Sequence, residues 1–167
     1  MTTLKPVIGF FAAMLLCAAQ AAAEDKEPSL TVEMGGAGEW RLRGGSSCGP
    51  DIGLEVTVIE RWLEIEASVT PLFSRAEAEI GTGLIFRKPF DLSKSLEFLI
   101  GAGPEWIFRP AGEKPSSIAA EATVEFVYSP WPERHVGFFI EPAYTYDFGK
   151  GHEQAISVTG GLHIGID

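Results

Sequence analysis

The chain has only two cysteines in 167 residues, Cys17 and Cys48, and no uncharged apolar run after the first 23 residues that could cross a bilayer as a helix. It is also short of cations, with 13 Lys and Arg against 23 Asp and Glu, a balance that argues against nucleic acid as a partner. No helical period is sustained after Ser29, no Gly-rich turn opens a helix in a phosphate-binding context, and no Ser-His-acid or His-x-Ser arrangement marks a hydrolase or acyltransferase. Linkers, repeats and low-complexity tracts are missing too, so one domain is expected.

What is present begins with a leader. Lys5 precedes an apolar run over residues 7–19, and the small residues Ala19, Ala21, Ala22 and Ala23 lead into Glu24 and Asp25. That order is the charged, apolar and small-residue sequence of a cleavable secretory signal, with cleavage after Ala21 or Ala23. Residues 1–23 are therefore read as signal peptide and 24–167 as the mature domain. Losing Lys5 leaves 12 basic residues against 23 acidic ones, a net charge of −11. Lipid attachment at Cys17 would need a small residue before it, where Leu16 stands. Cys48 alone remains, so no intramolecular disulfide can staple the domain.

The mature chain alternates apolar and polar residues in short segments. Successive side chains of a strand point to opposite faces, so each segment reads as a strand with one apolar face. In the last segment Ile156, Val158, Leu162, Ile164 and Ile166 oppose Ser157, Thr159, Gly161, His163 and Gly165. Seven similar segments precede it, with Val127 and Phe139 as imperfections on their polar faces. Breaker-rich stretches at 44–50, 71–74, 88–95, 110–117, 129–135 and 147–154 separate them as hairpin loops, with a tighter turn at 59–62. The fold class expected is all-β: a single antiparallel up-and-down barrel of about eight strands, the smallest common closed membrane barrel.

Alternation does not say whether the apolar face meets lipid or a soluble core. Trp40, Trp106, Tyr128, Tyr144 and Tyr146 lie on it toward strand ends, as the interfacial aromatics of a membrane barrel do. Lys26, Lys88, Lys94, Lys114 and Lys150 are assigned to loops or the terminus, while Gly is frequent on the polar face, which suits a crowded lumen; the GTG of 81–83 and GAG of 101–103 leave room there. Against this stands a carboxylate-rich polar face, including Glu64, Glu66, Glu77, Glu79, Glu121, Glu125 and Glu141. Arg41, Arg43, Arg75, Arg87 and Arg109 can pair with part of it, so a lumenal placement implies shared protons, raised carboxylate pKa values, water or bound cations. The competing reading is a soluble periplasmic barrel with the apolar face inside, binding a small apolar ligand.

Residues 131–149, WPERHVGFFIEPAYTYDFG, followed by SVTGGLHIGI, resemble the last two strands of small outer-membrane barrels of the OmpA-like and Omp25/Omp31 type, with Glu141, Tyr144, Tyr146, Phe148 and Gly149 at the matching positions. The chain departs from that group in ending Ile164-Gly165-Ile166-Asp167, where such barrels close on an aromatic residue. The resemblance implies a location in the outer membrane of a Gram-negative bacterium, with lipid and the barrel-assembly machinery as partners, and a non-enzymatic role in structure, envelope integrity or surface interaction. It selects neither a surface partner nor a single role. A small-barrel lipid-modifying enzyme is the remaining alternative.

No cofactor is expected. Glu64 with Glu66, and Glu77 with Glu79, each lie two apart on one strand face, and hairpin pairing would bring the two sets together as a divalent-cation or proton-sharing site. His163 is expected to pair in the lumen with Glu141 of the preceding strand. Asp147, His152 and Glu153 could hold a metal in the final loop, but a solvated loop explains them more simply.

Overall fold

The computed structural model describes residues 29–75, 78–111, 115–131, 135–149 and 151–166, so the leader read at 1–23 and the carboxylate of Glu77 lie outside the described residues. Among the described residues eight strands follow one another: β1 (Leu30–Arg41), β2 (Ser46–Ile59), β3 (Leu63–Phe73), β4 (Ala78–Ser93), β5 (Leu96–Ala111), β6 (Ser117–Trp131), β7 (Val136–Asp147) and β8 (Gln154–Ile166). Each is antiparallel to the next and β8 pairs with β1, closing the sheet as an up-and-down barrel.

The register fixes the barrel's dimensions. Following paired residues from Leu30 through Val56, Ile65, Phe86, Ala102, Ala122, Tyr144 and Ile156 returns to β1 at Trp40, ten residues beyond the start. With standard strand spacing and rise, eight strands and this stagger give a tilt of about 40° and a backbone radius of about 8 Å, an interior that side chains fill.

Alternation then sorts the residues. Ile100, Phe126 and Ile140 are 49%, 39% and 52% exposed on the outer surface, and Phe98 lies among them, its ring 5.1 Å from that of Phe126. Glu33, Glu66, Arg87 and Glu125 are at most 3% exposed, pointing inward. The competing arrangement with apolar side chains inside is therefore not the one adopted; the interior is polar because those residues occupy the other parity of every strand. The two irregularities have a structural reason as well: Val127 and Phe139 meet Leu99 in a small apolar cluster within the lumen.

The outer face carries aromatic residues at both rims. Trp40, Trp106 and Tyr144 lie exposed toward the end away from Leu30 and Ile166, the termini of the described barrel, with Tyr146 packed on Phe148 at a ring separation of 5.2 Å; Tyr128 lies toward the other end. Trp62 and Trp131, 57% and 53% exposed, complete the rim nearer the termini and were not singled out in the sequence because they sit in a turn and at a strand end. Tyr128 pairs with Leu96, and Trp106 stands ten residues further along β5. That is about 33 Å along the strand and about 25 Å along the barrel axis at the tilt above, the height of a lipid-facing band.

Two expectations about chain geometry are corrected. Lys88 lies within β4, not in a loop, and among the described residues it is the one charged side chain on the outer strand face. It reaches back over the rings of Phe90 (5.2 Å) and Trp62 (5.9 Å) at the rim, where an ammonium keeps contact with water and π faces. The strands also run through residues read as breakers, including Pro50, Pro71 and Pro89, because a proline removes one ladder bond while both neighbouring strands hold the segment on either side. The hairpins are correspondingly short, and no segment between strands exceeds the six residues of 148–153.

Replacing Ile140 by Arg, at the middle of the band, is expected to destabilise the barrel by about 2–4 kcal/mol in bilayers, whereas arginine at the rim position Trp131 costs about 1 kcal/mol or less. Reversible unfolding from liposomes measures both, and equal costs at the two depths would contradict a lipid-facing band.

Candidate functional site

One guanidinium organises the lumen in its half nearer the termini. Arg87 on β4 is 1% exposed and faces five carboxylates on five other strands: Glu33 of β1 (3.8 Å), Glu55 of β2 (3.1 Å), Glu125 of β6 (2.6 Å), Glu66 of β3 and Glu141 of β7. The contact with Glu125 is an ion pair lacking hydrogen-bond alignment, and Glu125 Oε1 has no hydrogen-bond partner among the described residues. Space for the arginine comes from Gly101, opposite it on β5; a Cβ there would lie 2.8 Å from Arg87 Cγ and 2.7 Å from Ile85 Cγ2. Glycine in the GAG stretch thus has the lumenal role expected of it.

A second network closes the half nearer the longer loops. Arg41 joins Glu39 (3.2 Å) and Glu79, while Arg109 joins Glu79 (3.2 Å) and Asp147 (3.0 Å). Asp147 also accepts from Ser117 Oγ (2.9 Å) and from the Gly149 amide (2.7 Å). Between the networks lies a cavity of about 40 Å³, bordered by Glu105, Glu121 and Glu141 and large enough for one water molecule. Nearer the termini a wider cavity of about 200 Å³ is lined by Glu55, Glu64, Glu97, Asp91, His135 and His163.

The residues singled out in the sequence are thus distributed along the lumen. Glu66, Glu125 and Glu141 converge on Arg87; Glu64 borders the wider cavity and accepts from Thr57 Oγ1 (3.5 Å); Glu121 borders the smaller one; Glu79 belongs to the far network. The expected meeting of Glu64 and Glu66 with Glu79 does not occur. The β3–β4 register sets Glu66 opposite Ile85 and Leu72 opposite Glu79, six residues apart along β3, about 20 Å of strand.

His163 also has a different partner from the one expected. Its Nδ1 lies 3.2 Å from Glu33 Oε1, directly opposite on β1, while Glu141 turns to Arg87. The pairing exists because closure makes β1 the second neighbour of β8. His152 is exposed in the last loop against the Tyr146 ring, 6.0 Å away, and Asp147 is already held by Arg109 and Ser117. Of the other arginines, Arg43 donates to the Gly151 carbonyl (2.5 Å) and Arg75 is exposed in the β3–β4 turn. Nothing local in the sequence distinguished Arg87 from these; its central place depends on register.

By sequence, no family model and no curated protein matches the chain. By structure it is similar to Neisserial surface protein A, at 14% identity over 85% of this chain and 100% of that one, with a TM-score of 0.69. The N-terminal barrel of Pseudomonas aeruginosa OprF is similar at 15% identity over 83% and 100% of the two chains (TM-score 0.54), and a de novo designed transmembrane barrel at 12% over 86% and 100% (TM-score 0.57). The fold is that of the small eight-stranded outer-membrane barrels.

Arg87→Met should cost on the order of 3–5 kcal/mol, since it leaves buried carboxylates without their counter-charge. Adding Glu66→Gln and Glu125→Gln to that variant should recover part of the loss. Unfolding in detergent micelles measures it; a change below 1 kcal/mol would remove Arg87 from the centre of the lumen.

Proposed function

We propose that the chain is a non-enzymatic structural protein of the Gram-negative outer membrane, contributing to envelope integrity as a plugged barrel. The observation that carries this reading is the blocked lumen inside a lipid-compatible surface: two ion networks fill an interior of about 8 Å backbone radius, where an open pore needs more strands. The outer band supplies the lipid contact, and assembly would use the barrel-assembly machinery.

Hairpin lengths support an orientation. The segments at the end bearing Leu30 and Ile166 are residues 60–62, 94–95 and 132–135, and those at the other end are 42–45, 74–77, 112–116 and 148–153. Short turns belong to the periplasmic side of such barrels and longer loops outside, which puts the wider cavity toward the periplasm. Loops this short favour an integrity role over adhesion through protruding loops.

The test combines fractionation, bilayer recording and deletion. The mature protein should fractionate with the outer membrane, migrate differently before and after heating, and show no stepwise conductance in planar bilayers. Deletion of the gene should increase detergent sensitivity, and a copy with trimmed 112–116 and 148–153 loops should restore resistance. Recovery in the soluble periplasm, steady conductance, or a deletion strain with unaltered resistance would refute the proposal.

A further inference from the structure

The lumen holds more negative charge than its arginines balance. Around Arg87 five carboxylates share one guanidinium, and the residue beside them is a histidine, not another arginine. Three of these groups converge: Glu33 on β1, Glu125 on β6 and His163 on β8 each present a ligand atom within 4.8 Å of the other two. Glu125 is fully buried, and its Oε1 lacks a hydrogen-bond partner among the described residues. Arg87 meets the other oxygen at 2.6 Å, so Oε1 is the atom that lacks a partner of its own, at a cost in a buried site.

We propose that Glu33, Glu125 and His163 form a site for a divalent transition cation of the zinc type. The donor set selects the ion class: one imidazole nitrogen with two carboxylate oxygens suits zinc and its neighbours, whereas calcium and magnesium favour oxygen-only shells. The spacing of one donor pair suits it as well. Bonds of about 2.0 Å in tetrahedral geometry place two donors about 3.3 Å apart, and His163 Nδ1 lies 3.2 Å from Glu33 Oε1. One position of the tetrahedron is left for water, and the cation offsets charge that Arg87 leaves unbalanced.

The site also has an approach. His163 lines the cavity of about 200 Å³ at the end nearer the termini, whose wall carries Glu55, Glu64, Glu97 and Asp91, the last paired with Arg61 at 2.7 Å, together with Lys94. The carboxylates outnumber Lys94 there, and the net negative field favours cations next to the imidazole. The proposal stands on lumenal geometry and does not depend on the envelope-integrity reading above.

The mature barrel folded in detergent at neutral pH, stripped with a chelator and titrated with zinc chloride, should bind one ion per chain, and millimolar magnesium should not displace it. Cobalt(II) should give visible absorption of tetrahedral intensity. His163→Ala and Glu125→Gln should each weaken zinc binding at least tenfold, while Glu79→Gln, in the other network, leaves it unchanged. X-ray absorption of the zinc-loaded wild-type protein should show an imidazole nitrogen among the scatterers, a readout independent of how the variants fold. Failure of the wild-type protein to bind zinc, binding unaffected by both variants in heat-modifiable protein, or an oxygen-only shell would overturn the assignment.

Discussion

The structure depends on a single buried guanidinium. Arg87 links its own strand to β1, β2, β3, β6 and β7, and Glu33 carries the linkage on to His163 of β8. Such a hub is possible only where opposite walls lie within reach of one side chain, which eight strands with a stagger of ten residues provide. Buried ion pairs contribute little net stability against well-packed apolar groups. Their stronger contribution here is to register: a slip of two residues in β3 against β4 would keep every face correct yet carry Glu66 away from Arg87.

With polar groups inside, the usual source of folding free energy has moved outward. The apolar side chains that would form a core in a soluble barrel form a band about 25 Å high, bounded by aromatic rims, and are buried only when lipid covers them. Backbone groups are satisfied by strand pairing around a closed ring, so the band needs no edge protection. Lys88 at the rim, over Phe90 and Trp62, shows how narrowly charge is confined on that surface.

Much of this was legible in the sequence, since side-chain parity is local. The alternation of Ile156 through Ile166 and of Phe138 through Tyr146 identifies strands and faces without knowledge of their neighbours, and about eight such segments identify the barrel. Register is not local. Glu66 and Glu79 look like neighbours across a hairpin until the long β3 and β4 strands carry them to different halves of the lumen. Val127 and Phe139 looked like faults in the pattern, and became sensible once both met Leu99. The partner of His163 could have been found by assuming closure, because a closed barrel sets β8 beside β1 and opposes His163 to Glu33.

The two halves of the lumen differ in how their charge is balanced, and this difference bears on what the interior can do. Toward the longer loops two arginines meet Glu39, Glu79 and Asp147, and the hydroxyl of Ser117 and the amide of Gly149 complete the bonding of Asp147. That half sets two arginines against three carboxylates, with Glu105 bordering the cavity beside them. Toward the termini one arginine serves five carboxylates, and the nearby cavity adds Glu64 and Glu97, with Lys94 and the Arg61–Asp91 pair beside them. An interior built only to fill space has no need of that asymmetry, since apolar residues such as Leu99 and Phe139 already do so within the same lumen. The carboxylate surplus is therefore greatest around Arg87 and the cavity beside it, which is where the proposed cation site lies.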